Sequence, residues 1–238
     1  MIDPWNEIMK DAAKGETGEY NIERDDGKVN AHTISDYTGT ILDWNESERL
    51  GIQHAKGRVL DIGCGAGRVS LFLQEQGYDV VGIDLASGAI EACKTRGLKK
   101  AYVMSADELD FPESTFDTII MYGNNFGILG EDPNIVNMLE SLKRITTPEG
   151  IILAGSVDVQ QTDDQSNIAY QKKNLERNRP IGLIRLRVKY KDLVGDWTEL
   201  RLAGPEEMKG LAERAGWKLS RVYQHGSSFV GILTKRRA

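Results

Sequence analysis

The stretch Val59-Leu60-Asp61-Ile62-Gly63-Cys64-Gly65-Ala66-Gly67-Arg68 decides the fold. A short apolar run ends in three alternate glycines, and a helical segment follows as far as Gln76. This reads as a buried strand, a tight loop and a helix N-terminus. Glycine has no Cβ, so the backbone can come close to a ligand, and loop amides at a helix end attract a carboxylate or phosphate. A dinucleotide fingerprint, GxGxxG, would need glycine where Arg68 stands. The pattern is instead Asp-x-Gly-x-Gly-x-Gly, with Asp61 just before the loop, which suits a ligand carrying an amino group. Seventeen residues past Gly67, Asp84 closes the run Val80-Val81-Gly82-Ile83-Asp84. A carboxylate at a strand's carboxyl end can accept hydrogen bonds from a ribose diol, and Leu85 behind it can cover an adenine face. A nucleoside is implied. The plainer alternative is two glycine-rich turns in an ordinary α/β protein.

Working outward, short apolar runs alternate with helical segments, the sequence signature of a parallel sheet with crossover helices. Strands are expected over 58–62, 79–84, 101–104, 116–121 and 150–157, the last after a turn at Thr147-Pro148-Glu149-Gly150. Helices are expected over 87–96 and 134–145. Runs at 217–223 and 229–234 flank a tight His225-Gly226-Ser227-Ser228 turn and make a closing antiparallel pair. The fold class is therefore α/β: a doubly wound, mostly parallel seven-stranded sheet with a terminal antiparallel pair and a small β-hairpin insert. The insert comes from the alternation of Ile184, Leu186, Val188 and Tyr190 with charged residues, a turn near Gly195-Asp196 and a second run over 197–202. Ahead of it lies a polar stretch through Arg179-Pro180. Residues 1–50 read as a polar, irregular arm or lid with a short helix over 5–14, and a helix over 45–56 ends at Gly57. The domain division is thus an arm at 1–50 and a main domain at 51–238 with an inserted region at about 160–203.

Of 238 residues, 40% are hydrophobic and 28% charged, an ordinary globular mixture. A formal charge of −6 gives no global field toward nucleic acid or anionic lipid. Two cysteines, Cys64 and Cys93, make neither a disulfide framework nor a metal spacing, so a reducing, cytoplasmic setting is expected and no metal is assigned. Met1–Glu7 shows no basic segment followed by an apolar stretch, and no apolar run approaches the roughly 18–20 residues that cross a bilayer, so neither secretion nor membrane spanning is expected.

The motifs together resemble the class I S-adenosylmethionine-dependent methyltransferases, over roughly Gly57 to the C-terminus. Residues 59–68 look like that family's first motif, 81–85 its second, 105–111 its adenine-edge loop, and 116–125 the strand and loop bordering the substrate. The resemblance implies S-adenosyl-L-methionine as cofactor. It also implies a methionine part held by Gly63, Cys64, Gly65 and Gly67, with Asp61 ordering the loop, a ribose held by Asp84 beside Leu85, and an adenine edge met by Ala106 and its neighbours. Where the family often has an acid just before that alanine, this chain has Ser105, with Asp107 two positions later, and either residue can read the adenine amine. Arg68 is a surface helix residue or a carboxylate clamp.

Tyr122 should border the sulfonium on the cofactor side, with Asn124 and Asn125 toward the acceptor and Phe126 as an apolar wall or as loop packing. The chain lacks the Asn/Asp-Pro-Pro-aromatic sequence that base-amine methylases share, so nucleic acid is disfavoured as substrate. A dedicated base is not required; the weak catalytic candidates are Tyr37, His225 and His32. The expected acceptor is a small molecule held by the arm, the loop after the fourth strand and the insert. Alternatives are an RNA or protein substrate docked on the basic insert, and a non-catalytic cofactor-binding subunit. Between Gln171 and Lys191 that insert carries Lys172, Lys173, Arg177, Arg179, Arg185, Arg187, Lys189 and Lys191 against the single acid Glu176, and the insert is also the candidate homodimer surface.

Overall fold

The computed structural model describes residues 3–236. Its elements begin with α1 (Pro4–Ala13), β1 (Glu19–Arg24), β2 (Val29–Thr33), α2 (Glu46–Ile52), β3 (Arg58–Ile62), α3 (Arg68–Glu75), β4 (Asp79–Asp84), α4 (Ser87–Thr95) and β5 (Ala101–Val103). They continue with β6 (Phe116–Met121), α5 (Asp132–Ile145), β7 (Thr146–Val157), α6 (Gln165–Glu176), β8 (Leu183–Tyr190), β9 (Leu193–Val194), β10 (Thr198–Arg201), α7 (Pro205–Arg214), β11 (Trp217–His225) and β12 (Ser228–Lys235). Short 3-10 turns cover Ile34–Tyr37, Ile41–Asp43 and Asn125–Gly127. The chain forms two compact units, one of the chain through Trp44 with Lys56–Asp110 and Leu186–Thr198, the other of Asn45–Ala55, Phe111–Arg185 and the chain from Glu199 on.

In the first unit β3, β4 and β5 pair in parallel, with Val59 opposite Val80 and Gly82 opposite Ala101. Their apolar runs are buried because helices cover a parallel sheet on both faces. The N-terminal segment is not the irregular arm expected from its polarity. Asp3 caps α1 through the Trp5 amide, and Pro4 suits the first helical turn. β1 and β2 form an antiparallel hairpin across the Asp25-Asp26-Gly27 turn, and β1 also pairs with β8, Ile22 lying opposite Val188. The arm and the insert, expected as separate appendages, share one sheet. β8 also pairs with the short β9, so the insert's turn comes earlier than Gly195. Beneath lies a core of Ile8, Met9, Ala12, Tyr20, Ile34, Ala66, Ala89, Ala92, Val188 and Tyr190.

Helix α1 lies unusually close to α4. The N-cap of α4, Ala86, has no side-chain acceptor, and Asn6 of α1 supplies one, its Oδ1 accepting from the Gly88 amide at 2.6 Å and the Ser87 hydroxyl at 3.2 Å. A Cβ on Gly88 would stand 2.4 Å from the Asn6 carbonyl oxygen, so only glycine permits this approach. Asp11, on the same helix, is buried and accepts from Lys14 at 2.9 Å, the Tyr190 hydroxyl at 2.9 Å and Lys191 at 2.6 Å. Burial pushes its pKa up, but the bonds from Lys191, Lys14 and Tyr190 outweigh this and hold it at about 2. Arg187 and Lys189 meet Glu23 and Lys191 meets Asp11, so acids of the arm pair with three of the eight basic residues of the insert. Trp197 is half-buried, with the Arg187 guanidinium 4.6 Å from its ring centroid, rather than in the core.

In the second unit β6 pairs in parallel with β7, and β7, β12 and β11 are antiparallel neighbours. The second unit thus holds four such strands, β6, β7, β11 and β12, and the first holds three, β3, β4 and β5, seven in all as the sequence leads one to expect. β7 starts at Thr146 rather than Gly150. Phe116 pairs with Thr146 but Thr118 with Ile151, so the expected Thr147–Gly150 turn is a bulge inside the strand. The polar stretch after Val157 contains α6, missed because only Tyr170 and Asn174 of it are buried. Its N-cap Asp164 holds the Ser166 and Asn167 amides, and Arg179 pairs with Glu199. α2 stops at Ile52, four residues early, in a turn made by His54 and Ala55. Arg201 is buried and bonded to Asp132 and Glu207, which joins β10 to α5 and α7.

Two predictions follow from these contacts. Gly88→Ala lowers stability by roughly 1–3 kcal/mol through overpacking, whereas Gly210→Ala, in α7 where an added Cβ meets nothing within 4 Å, raises it by about 0.5–1 kcal/mol; thermal melts separate the two. Because the folded pKa of Asp11 is depressed, its stabilisation is present above about pH 4 and is lost as pH falls toward 2. Asp11→Asn therefore lowers Tm at neutral pH, and the deficit shrinks through that acid window.

Candidate functional site

The loop after β3 is held by the end of β4. The Gly63 and Cys64 amides donate to the Ile83 carbonyl at 2.8 and 3.0 Å, and the Gly67 amide to the Cys64 carbonyl at 2.9 Å. Gly63, Gly65 and Gly67 have φ of +69°, +54° and +86°, the left-handed region that side chains rarely adopt. Gly67 is the N-cap of α3. Asp84 ties the loop to the next turn, its Oδ2 accepting from the Gly65 amide at 3.0 Å and its Oδ1 from the Ala86 amide at 2.9 Å. Burial raises its pKa against the pull of those two amides.

Asp61 is buried beneath the loop and accepts from the Ser70 hydroxyl of α3 at 2.6 Å. Burial raises its pKa to about 6, with the Ser70 bond and the Arg68 charge opposing. The Arg68 guanidinium sits 4.8 Å from the centroid of the buried Trp44 ring. Cys64 and Cys93 are both buried with Sγ atoms 3.7 Å apart, and the Cys93 thiol donates to the Gly65 carbonyl. The Cys93 contact and burial hold the Cys64 thiol well above its usual pKa, so it packs the loop as a neutral group and is no nucleophile. Leu85 is 67% exposed, an apolar face beside Asp84. In the third loop Ala106 is buried, and the Ser105 hydroxyl donates to Asp107 Oδ1, so these two residues act together.

Tyr37 belongs to this site. A Cβ on Gly65 would stand 3.2 Å from Tyr37 Cδ1, so the ring lies against the loop. Its hydroxyl is 2.9 Å from that of Tyr20, Trp5 meets both rings edge-on, and His32 stacks on Tyr20 at 5.4 Å. Burial pushes Tyr20 up to about 12 and holds Tyr37 well above its ordinary value, so both hydroxyls stay protonated and can donate but not serve as phenolate bases.

The residues expected near the acceptor lie in the second unit. Tyr122 is buried with its hydroxyl donating to the Glu48 carbonyl at 3.1 Å. Gly123 and Asn124 have positive φ, which turns the chain after β6, and Asn124 and Asn125 are half-buried. Phe126 is fully buried, loop packing rather than a wall open to ligand, and Gly127 is pressed against the Arg201 carbonyl. His225 is exposed and pairs with Glu46 at 2.9 Å. Sequence reasoning missed His54, whose Nε2 lies 2.7 Å from the Tyr223 hydroxyl, which also accepts from Arg221. Residues 169 positions apart carry no local signal of such a pairing. Among the described residues no group of three or more His, Cys, Asp or Glu could hold a metal ion, and no helix is long and apolar enough to cross a membrane.

The residues around the loop fit a nucleoside with an amino-acid tail. An ionised carboxylate has about four lone-pair sites, and Asp84 accepts from the Gly65 and Ala86 amides, with the Leu85 amide also beside it, which leaves acceptor capacity for a diol. The glycine loop lacks side chains where a tail would pass, and Asp61 lies beneath it.

A family described as a methyltransferase domain matches residues 59–150. A solved S-adenosylmethionine-dependent methyltransferase from Bacteroides fragilis, in complex with S-adenosyl-L-homocysteine, superposes with a TM-score of 0.83 at 25% identity, covering 99% of this chain and 95% of that one. Demethylmenaquinone methyltransferase of Beutenbergia cavernae is 34% identical over 94 residues, 39% of this chain and 38% of that protein. Ubiquinone biosynthesis O-methyltransferase of Histophilus somni is 22% identical over 125 residues, 50% of this chain and 52% of its own length. The chain spans about two-fifths to one-half of the length of these curated relatives.

Asp61 gives a test independent of ligand. With its folded pKa raised, the native state binds the extra proton, so stability falls as pH rises from about 4 to about 6 and then levels off. Asp61→Asn keeps an acceptor for Ser70 and avoids that loss. Its Tm relative to wild type is expected to climb across this window; parallel curves from pH 4 to 8 would contradict a buried, uncompensated Asp61.

Proposed function

The chain has the class I S-adenosylmethionine-dependent methyltransferase fold, with its methyltransferase domain at residues 59–150, and from this we propose that it is an enzyme that methylates a small molecule with S-adenosyl-L-methionine as donor. The observation that carries the reading is Asp84: one carboxylate orients the glycine-loop amide and the turn into α4 and keeps acceptor capacity for a ribose. Gly63, Gly65 and Gly67 leave room for the methionine tail, Asp61 orders the loop below its amino group, Leu85 covers the adenine, and the Ser105–Asp107 pair meets the adenine edge. The bound cofactor supplies a methyl group on a positively charged sulfur, open to in-line displacement.

The chain's own contribution is then alignment and exclusion of water, which account for much of the rate in a reaction whose leaving group is already activated. Tyr37, held protonated against the loop, orients by donating or packing. Tyr122 is the residue assigned to the sulfonium on the cofactor side, and Asn124 and Asn125 are assigned to the acceptor. The quinone-biosynthesis names of the relatives support a small-molecule acceptor. The ion pairs of Arg187, Lys189 and Lys191 with the arm leave less free positive charge for a nucleic-acid substrate.

Calorimetry is expected to show binding of S-adenosyl-L-homocysteine and none of NAD. Asp84→Ala should raise the Kd for S-adenosyl-L-homocysteine roughly 10–100-fold, the loss of one or two hydrogen bonds to a charged group, and Asp84→Asn should do so less. Unchanged affinity in both variants removes the ribose assignment, and no binding by wild type removes the cofactor reading.

A further inference from the structure

One arginine outside every cofactor motif touches both the glycine loop and the arm. Arg96, at the C-cap of α4, sends Nη1 to the Ala66 carbonyl at 2.5 Å. The same nitrogen approaches the Tyr37 carbonyl, and Nη2 the Thr38 carbonyl, each at 3.4 Å. Ala66 lies between the second and third glycines, and Tyr37 is the residue whose ring rests on Gly65. The guanidinium is half-buried, and desolvation lowers its pKa without depriving it of its charge. Three carbonyls from two segments, brought together on one face, repel one another unless a cation lies among them. A planar fork can reach two peptides at once, which a lysine ammonium on a single stem does less well.

We propose that Arg96 is a positioning residue for cofactor binding, the latch that makes residues 34–38 of the arm and the glycine loop close on S-adenosylmethionine as one body. The inference rests on the proposed cofactor reading and goes beyond it, because it makes the arm part of the cofactor's grip through a residue that touches no ligand. α1 is already pinned to the start of α4 by Asn6 at Gly88. Arg96 pins the following 3-10 turn to the other end of the same helix. The arm therefore has one anchor that sets its place and a second that couples it to the loop. Tyr37 closes the contact by covering Gly65, where any side chain larger than hydrogen would push the ring away.

The test is hydrogen exchange and calorimetry on the full-length protein with Arg96→Met and Arg96→Lys, using S-adenosyl-L-homocysteine as probe. In wild type the probe should protect 34–39 and 63–67 together. In Arg96→Met the Kd should rise tenfold or more and ligand-induced protection at 34–39 should be lost while that at 63–67 persists, with Arg96→Lys in between. Arg201→Met, which breaks the ion pairs to Asp132 and Glu207 in the second unit and touches neither segment, should lower Tm and leave the Kd within twofold of wild type, so a general loss of stability cannot produce the same pattern. An Arg96→Met protein that binds the probe like wild type, or keeps both segments protected, overturns the latch. If wild type does not bind the probe, the cofactor reading fails on its own. The ligand-free comparison then decides the latch: faster exchange at both segments in Arg96→Met supports the coupling, and unchanged exchange removes it.

Discussion

The carboxylate of Asp84 is the constraint around which the first unit is organised. It is largely buried at the end of β4, where desolvation disfavours its charge, and the Gly65 and Ala86 amides compensate. Those amides belong to the two loops that leave the sheet at its carboxyl edge. Orienting them fixes the glycine loop and the start of α4 together. The positive φ of Gly63, Gly65 and Gly67 lets the loop turn tightly enough for this. Asp61 and Ser70 brace it from below, and the two neutral thiols fill the space behind it. A ligand reaching Asp84 therefore meets a preformed surface, which lowers the ordering cost of binding.

The second level of organisation is the docking of the N-terminal segment onto α4. A side chain from α1 replaces the missing cap of another helix, and a glycine in that helix removes the one atom that would block it. β1 then pairs with β8, and Glu23 meets the Arg187 that β8 presents while Asp11 meets Lys191 just past its end. Acids from residues 11 and 23 and bases from residues 187 to 191 are thus one electrostatic unit. Exposed pairs of this kind contribute little individually, but Asp11, buried and triply bonded, is the point at which the pairing becomes stabilising.

How much of this was legible depends on where each signal resides. The strands at 58–62, 79–84 and 116–121 were readable to the residue, because a strand buried on both faces needs a continuous apolar run and the turns beside it need glycine. The glycine loop and the strand-end Asp84 were readable because three alternate glycines at positive φ and the acid that holds their loop each sit directly at the end of an apolar run. The hairpin of residues 19–33 was not. Apart from Tyr20, none of its strand residues is buried, and β1 is held in the sheet by β2 on one side and by β8, from far along the chain, on the other. α6 escaped for the same reason, as it buries two residues of twelve. Arg96, Asn6 and His54 look like ordinary surface residues in sequence; their roles come from carbonyls, amides and hydroxyls that only the fold brings within reach.

The tyrosines of the arm bear on the chemistry. A hydroxyl acts as a base only if its proton can leave, and burial of Tyr20 and Tyr37 opposes that far above neutral pH. Their mutual hydrogen bond gives the pair a fixed geometry with no titration near pH 7. A methyl transfer run from such a site draws its rate from positioning, since the donor sulfur already carries the charge that makes it a leaving group. Residues that set distance and exclude water then matter more than any single proton acceptor. Tyr37, which packs on the loop through its ring and is held through its backbone by Arg96, meets that requirement through both its side chain and its main chain.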